Sequence, residues 1–205
     1  MWKIRGKELA QKFNQRKIFD NISFEIRSGE SIAITGANGS GKTTLLRIIS
    51  QLLRPSAGKI TFHENQVEIK RDNLYVAIGL VGPYLQLYNQ LTALENYSFF
   101  RRIRGLPANI PHFKKLMSRV GLAGREADEL RNYSSGMLQR MKYVCALLHE
   151  PEILLVDEPT SNLDEAGSQI VFEIMEQQKK NKILILATNN KDEVKFGDST
   201  IELTV

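Results

Sequence analysis

The sequence predicts an α/β fold built on a mostly parallel sheet, with an N-terminal antiparallel β layer and an inserted α-helical subdomain. Three observations carry that expectation. Gly36-Ala37-Asn38-Gly39-Ser40-Gly41-Lys42-Thr43 fits the pattern G-x-x-x-x-G-K-[ST] between a strand-like and a helix-like run. Ile153-Leu154-Leu155-Val156 is continuously apolar, as a strand covered on both faces must be. After the glycine-rich loop, apolar runs of strand length alternate with runs of helical period.

The elements follow in order. Trp2 to Leu9 and Ile18 to Ile26 read as strands of the antiparallel layer, and Ser28-Gly29-Glu30 as a turn. Ser31 to Thr35 is a buried strand, and Thr44 to Ser50 a helix stopped by Pro55 and Gly58. Lys59 to Phe62 and Val76 to Val81 are further strands. From about Tyr84 the pattern turns helical. Thr92 starts an amphipathic helix through Leu94, Tyr97, Phe100 and Arg104, broken by Gly105-Leu106-Pro107. Pro111 to Val120 is the next helix, and Ser135 to His149 another, ended by Pro151. Glu165 to Lys179 is a helix, Ile183 to Ala187 a strand, and Ser199 to Leu203 a last short strand. We read residues 1–205 as a single domain, with residues 84–150 as the approximate helical subdomain inserted within it.

Composition narrows the class. The chain has 205 residues, 42% hydrophobic and 25% charged, ordinary proportions for a globular fold. No apolar run reaches the roughly 20 residues that a membrane helix needs, and the N-terminus lacks the apolar core of a signal peptide. The single cysteine, Cys145, rules out an internal disulfide and points to a reducing compartment. In its apolar helical run it reads as packing. The net charge of +5 is spread along the chain. Its densest cluster, Arg101-Arg102-Ile103-Arg104, reads first as a solvated helix face and next as a docking surface. No nucleic-acid recognition motif accompanies it, so no nucleic acid is expected. His63, His112 and His149 show no metal-ligand spacing, and His149 suits compensation of a helix dipole.

The chemistry gathers at two places. In the glycine-rich loop, Gly36, Asn38, Gly39, Ser40, Gly41 and Thr44 surround a phosphate with backbone N–H groups, Lys42 reaches its outer oxygens, and the Thr43 hydroxyl suits Mg²⁺. At the end of the apolar strand, Asp157 and Glu158 emerge where open α/β sheets bind ligands. Strand alternation points them apart, so Asp157 can hold the metal while Glu158 polarises a water. A further helix start, Tyr133-Ser134-Ser135-Gly136-Met137, offers an N-cap hydroxyl and free N–H groups to an anion.

With these residues in sequence, the chain resembles an ABC-type ATPase, the ATP-binding subunit of an ABC transporter, whose core is a P-loop NTPase (RecA-like) fold. Gly36 to Thr43 matches Walker A, Leu154 to Glu158 Walker B, and Ser161 to Asp164 the D-loop. Tyr133 to Met137 is similar to the LSGGQ signature, with Tyr133, Ser135 and Met137 departing from it. The resemblance implies ATP and Mg²⁺ as cofactors and a second ATP-binding subunit, identical or different, facing this one head to tail. Each ATP would then lie between Walker A of one copy and Ser134, Ser135 and Gly136 of the other. It also implies an integral membrane transporter subunit as partner and a cytoplasmic, peripheral place on the inner face of the membrane. Phe13 resembles the aromatic that stacks on adenine; its other reading is a core residue. Two positions depart from the family: Pro83 stands at the Q-loop glutamine, with Gln86 three residues on, and Asn189 stands at the switch histidine. The length and Leu91-Thr92-Ala93-Leu94-Glu95-Asn96 resemble the short subunits of haem-exporter or cytochrome c maturation systems. Two other functions stay open: a soluble ABC ATPase in a non-membrane assembly, and a nucleotide-gated interaction protein with weak hydrolysis.

Overall fold

The computed structural model describes residues 1–204. Its elements are β1 (Trp2–Phe13), β2 (Arg16–Arg27), β3 (Ser31–Gly36), α1 (Lys42–Ile49), β4 (Ala57–Glu64), β5 (Val67–Glu68), β6 (Ile78–Val81), α2 (Ala93–Ile103), α3 (Ile110–Arg119), α4 (Ser135–Leu147), β7 (Ile153–Asp157), α5 (Glu165–Lys179), β8 (Ile183–Ala187), α6 (Lys191–Val194) and β9 (Ser199–Leu203). The antiparallel sheet has the order β2-β1-β4-β5, and the second sheet, β6-β7-β8-β3-β9, is parallel throughout. The fold is therefore the P-loop NTPase arrangement expected from the sequence. The two-residue β5, the short α6 and the 3-10 turns at Arg71–Val76 and Leu130–Asn132 were not legible in it.

The parallel sheet is covered on both faces, which explains its unbroken apolar strands. Ile153, Leu155, Ile183 and Ile185 pack toward α1 and the antiparallel layer, with Ile4, Phe62, Leu45 and Ile48. Their neighbours Leu154, Val156, Leu184 and Leu186 pack toward the helices, with Tyr97, Met141, Val144 and Met175. Period-2 alternation thus feeds two separate cores from single strands. The helices α2, α3 and α4 sit on the second face and share Tyr97, Phe113, Met117 and Met141.

Local chemistry sets the helix ends. Thr92 caps α2 in a reciprocal box with Glu95, and those bonds hold the Glu95 carboxyl below its ordinary range. The fully buried Asn96 fastens the preceding loop: its amide donates to the Tyr88 carbonyl at 3.0 Å, and its carbonyl accepts from the Tyr88 N–H at 2.9 Å. Cys145 is buried, with its thiol pushed up to about 12 by desolvation, in keeping with a packing role.

Two readings of the sequence change here. The arginine cluster is not a uniformly solvated face: Arg102 and Ile103 are exposed, but Arg101 is buried and Arg104 partly so. His149 does not compensate the dipole of α4. Its Nε2 meets the Ile78 carbonyl at 3.2 Å, and burial, with Arg104 nearby, lowers its pKa to about 4. Arg101 takes the end of α4 instead, donating to the Leu148 carbonyl at 2.7 Å. An unfolded histidine binds its proton near pH 6.5, whereas folded His149 does so only near 4. The unfolded chain therefore holds more protons between those values, and stability falls as pH drops through that window. We expect chemical denaturation at pH 7 and pH 4.5 to show this loss, and His149→Asn to reduce it. An equal loss in the variant would assign the effect to other groups.

Candidate functional site

The glycine-rich loop joins β3 to α1 at the C-terminal edge of the parallel sheet. Gly41 stands before α1 with φ +103, and a Cβ there would meet Ile18 Cγ2 at 2.5 Å. Only glycine lets β2 close over the loop at that point. The ammonium of Lys42 folds back to the carbonyls of Gly36 at 2.8 Å and Ala37 at 3.1 Å, fixing the loop's curvature.

A cavity of about 330 Å³ opens at this loop, lined by Ile18, Asn38, Gly39, Gly41 to Thr44, Asp157 and Glu158. Strands β3 and β7 therefore deliver both candidate regions to one place. Asp157 ends β7 buried. Desolvation raises its pKa, and the Thr43 hydroxyl beside it acts in the opposite direction. Its Oδ2 is buried without a hydrogen-bond partner. Glu158 follows in the left-handed region, φ +51, and is exposed. Its N–H donates to the Ala187 carbonyl at 2.9 Å, which holds this strained turn against the end of β8. An orphaned carboxylate oxygen beside a hydroxyl is a hard-oxygen pair that fits Mg²⁺.

Asn189, just past β8, reaches the loop: its amide nitrogen donates to Asn38 Oδ1. Ser134 caps α4, its hydroxyl accepting from the Met137 N–H at 3.2 Å. Ser134 and Ser135 are exposed, and Gly136 partly so. The cavity's lining does not include them. Phe13 stands where β1 turns into β2, 45% exposed, so the core reading of this residue is corrected. The member of the antiparallel layer that lines the cavity is Ile18. Its β-strand position carried no motif, so the sequence did not single it out.

Two further residues shape the site without a sequence signal. Pro83 and Gln86 are exposed, but Tyr84 between them turns inward. Its hydroxyl is buried and unpartnered, and burial and the Asp157 carboxylate hold it well above the ordinary tyrosine range. Gly82 makes room for it, since a Cβ there would meet the Tyr84 ring at 2.8 Å. The second is Glu193 of α6, only 3% exposed. It accepts from the Thr160 N–H at 3.0 Å and from the hydroxyls of Thr160 and Thr188. It thereby ties the segment after Glu158 to the segment that carries Asn189. Glu193→Ala strands these three donors, and we expect a loss of about 3 kcal/mol in urea unfolding. A change under about 1 kcal/mol would mean that water satisfies the donors.

Known proteins resemble this chain in sequence and fold. The ABC transporter family pattern matches residues 19–161. An uncharacterised ABC transporter ATP-binding protein of Bacillus subtilis, YybJ, is 33% identical over 197 residues, covering 95% of this chain and 89% of that protein. The cytochrome c biogenesis ATP-binding export protein CcmA of Vibrio parahaemolyticus is 32% identical, covering 91% of this chain and 90% of its own. A dimeric ATP-binding cassette solved in a post-hydrolysis state with ADP and phosphate superposes with a TM-score of 0.84 at 25% identity. That match covers 98% of this chain and 94% of the other. The chain belongs to the ABC transporter family, as an ATP-binding cassette.

Proposed function

We propose that this cassette energises a separate membrane-spanning partner through ATP-driven pairing with a second cassette. The observation that carries the reading is the single cavity where the glycine-rich loop, Thr43, Asp157 and Glu158 meet. The loop's N–H groups and Lys42 would bind the phosphates, and Phe13 would stack on the adenine. Thr43 and Asp157 would hold Mg²⁺, whose charge offsets that developing on the phosphates. Glu158 would accept the proton of the attacking water. Asn189, already tethered to Asn38, would donate to the γ-phosphate or that water. Its amide cannot titrate near neutrality, so it orients without moving a proton. Ser134, Ser135 and Gly136 of one copy would close the cavity of the other; in this chain they lie free of the cavity, available for that contact. No helix among the described residues is long and apolar enough to cross a membrane. A place on the cytoplasmic face, beside an integral partner, follows from this reading.

Steady-state phosphate release with Mg-ATP tests the proposal. We expect slow release that rises with protein concentration, because two copies complete each site. Asn189→His is expected to raise it several-fold by adding a titratable donor. Release that is absent at every protein concentration, despite ATP binding, would leave the nucleotide as a switch. Co-purification with an integral membrane protein separates the transporter reading from a non-membrane assembly.

A further inference from the structure

A second cavity of about 330 Å³ lies where α2, the loop after it and the end of α4 meet, lined by Val76, Arg101, Arg104, Leu106, Asn109, His112, Leu148, His149 and Glu150. Val76 leads into β6, and the residues from Leu148 to Glu150 lead into β7. The cavity therefore sits at the N-terminal edge of the parallel sheet. The nucleotide cavity lies at the opposite edge, beyond the five residues of β7, a span of roughly 13 Å. The two are separate sites.

The charge in this wall is unbalanced. Arg101 is only 7% exposed, and its Nε and one terminal nitrogen donate to the Pro107 and Leu148 carbonyls at 2.6 and 2.7 Å. Those bonds close a turn and a helix end but do not neutralise the guanidinium. Arg104 is held more loosely. Its Nε is buried without a partner, and its one hydrogen bond runs to the Phe100 carbonyl at 3.5 Å. Burial holds its pKa below the ordinary arginine value. His149 is neutral for the reason given above. The one carboxylate in the wall, Glu150, is 78% exposed and meets His112 at 3.7 Å. Two guanidiniums thus share a partly desolvated cavity with a single solvated carboxylate at its rim. A buried charge without a counter-charge is costly, and guanidinium N–H groups match oxyanions in geometry and sign.

We propose that this cavity is a binding site for a small oxyanion, a carboxylate or phosphate group, with Arg104 as its principal donor and Arg101 supplying the second positive charge. Val76, Leu106 and Leu148 give the wall an apolar side that suits a short carbon chain behind the anionic head. Nothing in the nucleotide site requires this ligand, so the proposal stands apart from the ATPase chemistry.

The test is an amide NMR titration of the Mg-ADP-loaded chain with sodium malonate and, separately, with inorganic phosphate, against sodium chloride at matched ionic strength. We expect saturable shifts at Val76, Leu106 and Leu148 with at least one of the two anions, and affinity at least 5-fold weaker in Arg104→Gln. Arg104→Lys should recover part of it. Saturation by malonate alone assigns a carboxylate, and saturation by phosphate alone a phosphate group. Shifts confined to Gly39 to Thr44, shifts that do not saturate, or equal affinity in Arg104→Gln would overturn the proposal. Should Arg104→Gln fail to bind Mg-ADP and prove unfolded, the site-resolved saturation of the native chain decides alone.

Discussion

Glu158→Gln is expected to lower steady-state phosphate release by about 10²- to 10⁴-fold, the range typical of a lost general base. The substitution keeps the length, the polarity and the left-handed backbone at φ +51, so it removes little except the proton acceptor. ATP binding should remain, because the loop and Lys42 are untouched. Stability offers a second readout. The Glu158 carboxylate contributes to the raised pKa of Asp157, so neutralising it relieves a like-charge contact. The variant should therefore melt at or slightly above the native temperature in the absence of metal. Turnover within 10-fold of the native rate would remove Glu158 from the role of base. A strongly lowered melting point would attribute the lost activity to misfolding.

Gly36→Ala is the second large effect, and it acts through packing. Gly36 has φ +140, in a region that residues with a Cβ hardly occupy. A Cβ there would lie 2.4 Å from the Leu203 carbonyl oxygen and 2.6 Å from Ser40 Oγ. The first of these is backbone of β9, paired in register with Gly36, and it cannot swing aside as a side chain could. Strain and collision together should cost about 3 kcal/mol or more, read as a lower urea midpoint. The loop's curvature should suffer as well, because Lys42 is anchored on the Gly36 carbonyl. Loss of ATP affinity without loss of stability would contradict this account and leave Gly36 with a purely local role.

The sequence carried most of this architecture because strong periods and fixed spacings are local. The Glu165–Lys179 helix ends where its pattern predicts, and Ile153–Asp157 announces burial on both faces by having no polar residue before its end. The sequence offered Ser134 or Ser135 as a cap, and the structure takes Ser134. What stayed hidden depends on long-range approach. Glu193 looks like a surface acid of a short charged helix until β7 and β8 bring Thr160 and Thr188 to it. Tyr84 carries no motif beside Pro83, and Ile18 lies in an ordinary strand, so neither is marked by local sequence. The run of arginines misled for a related reason: one face of a helix can be dry while the next residue is wet, and sequence alone does not say which neighbour covers it.

Helix α4 joins the serine surface to the arginine-lined cavity. Its N-terminal end presents Ser134 to Gly136, and its C-terminal end is gripped by Arg101 through the Leu148 carbonyl. Thirteen residues make a rod of about 20 Å. Packed on both the sheet and its sister helices, such a rod transmits strain along its length. A tilt of about 3° at the gripped end displaces the serine end by about 1 Å, enough to break or make a hydrogen bond. On the proposed pairing, a small shift at the Arg101 end of this helix, far from the glycine-rich loop, would reach the serine end that meets the second copy.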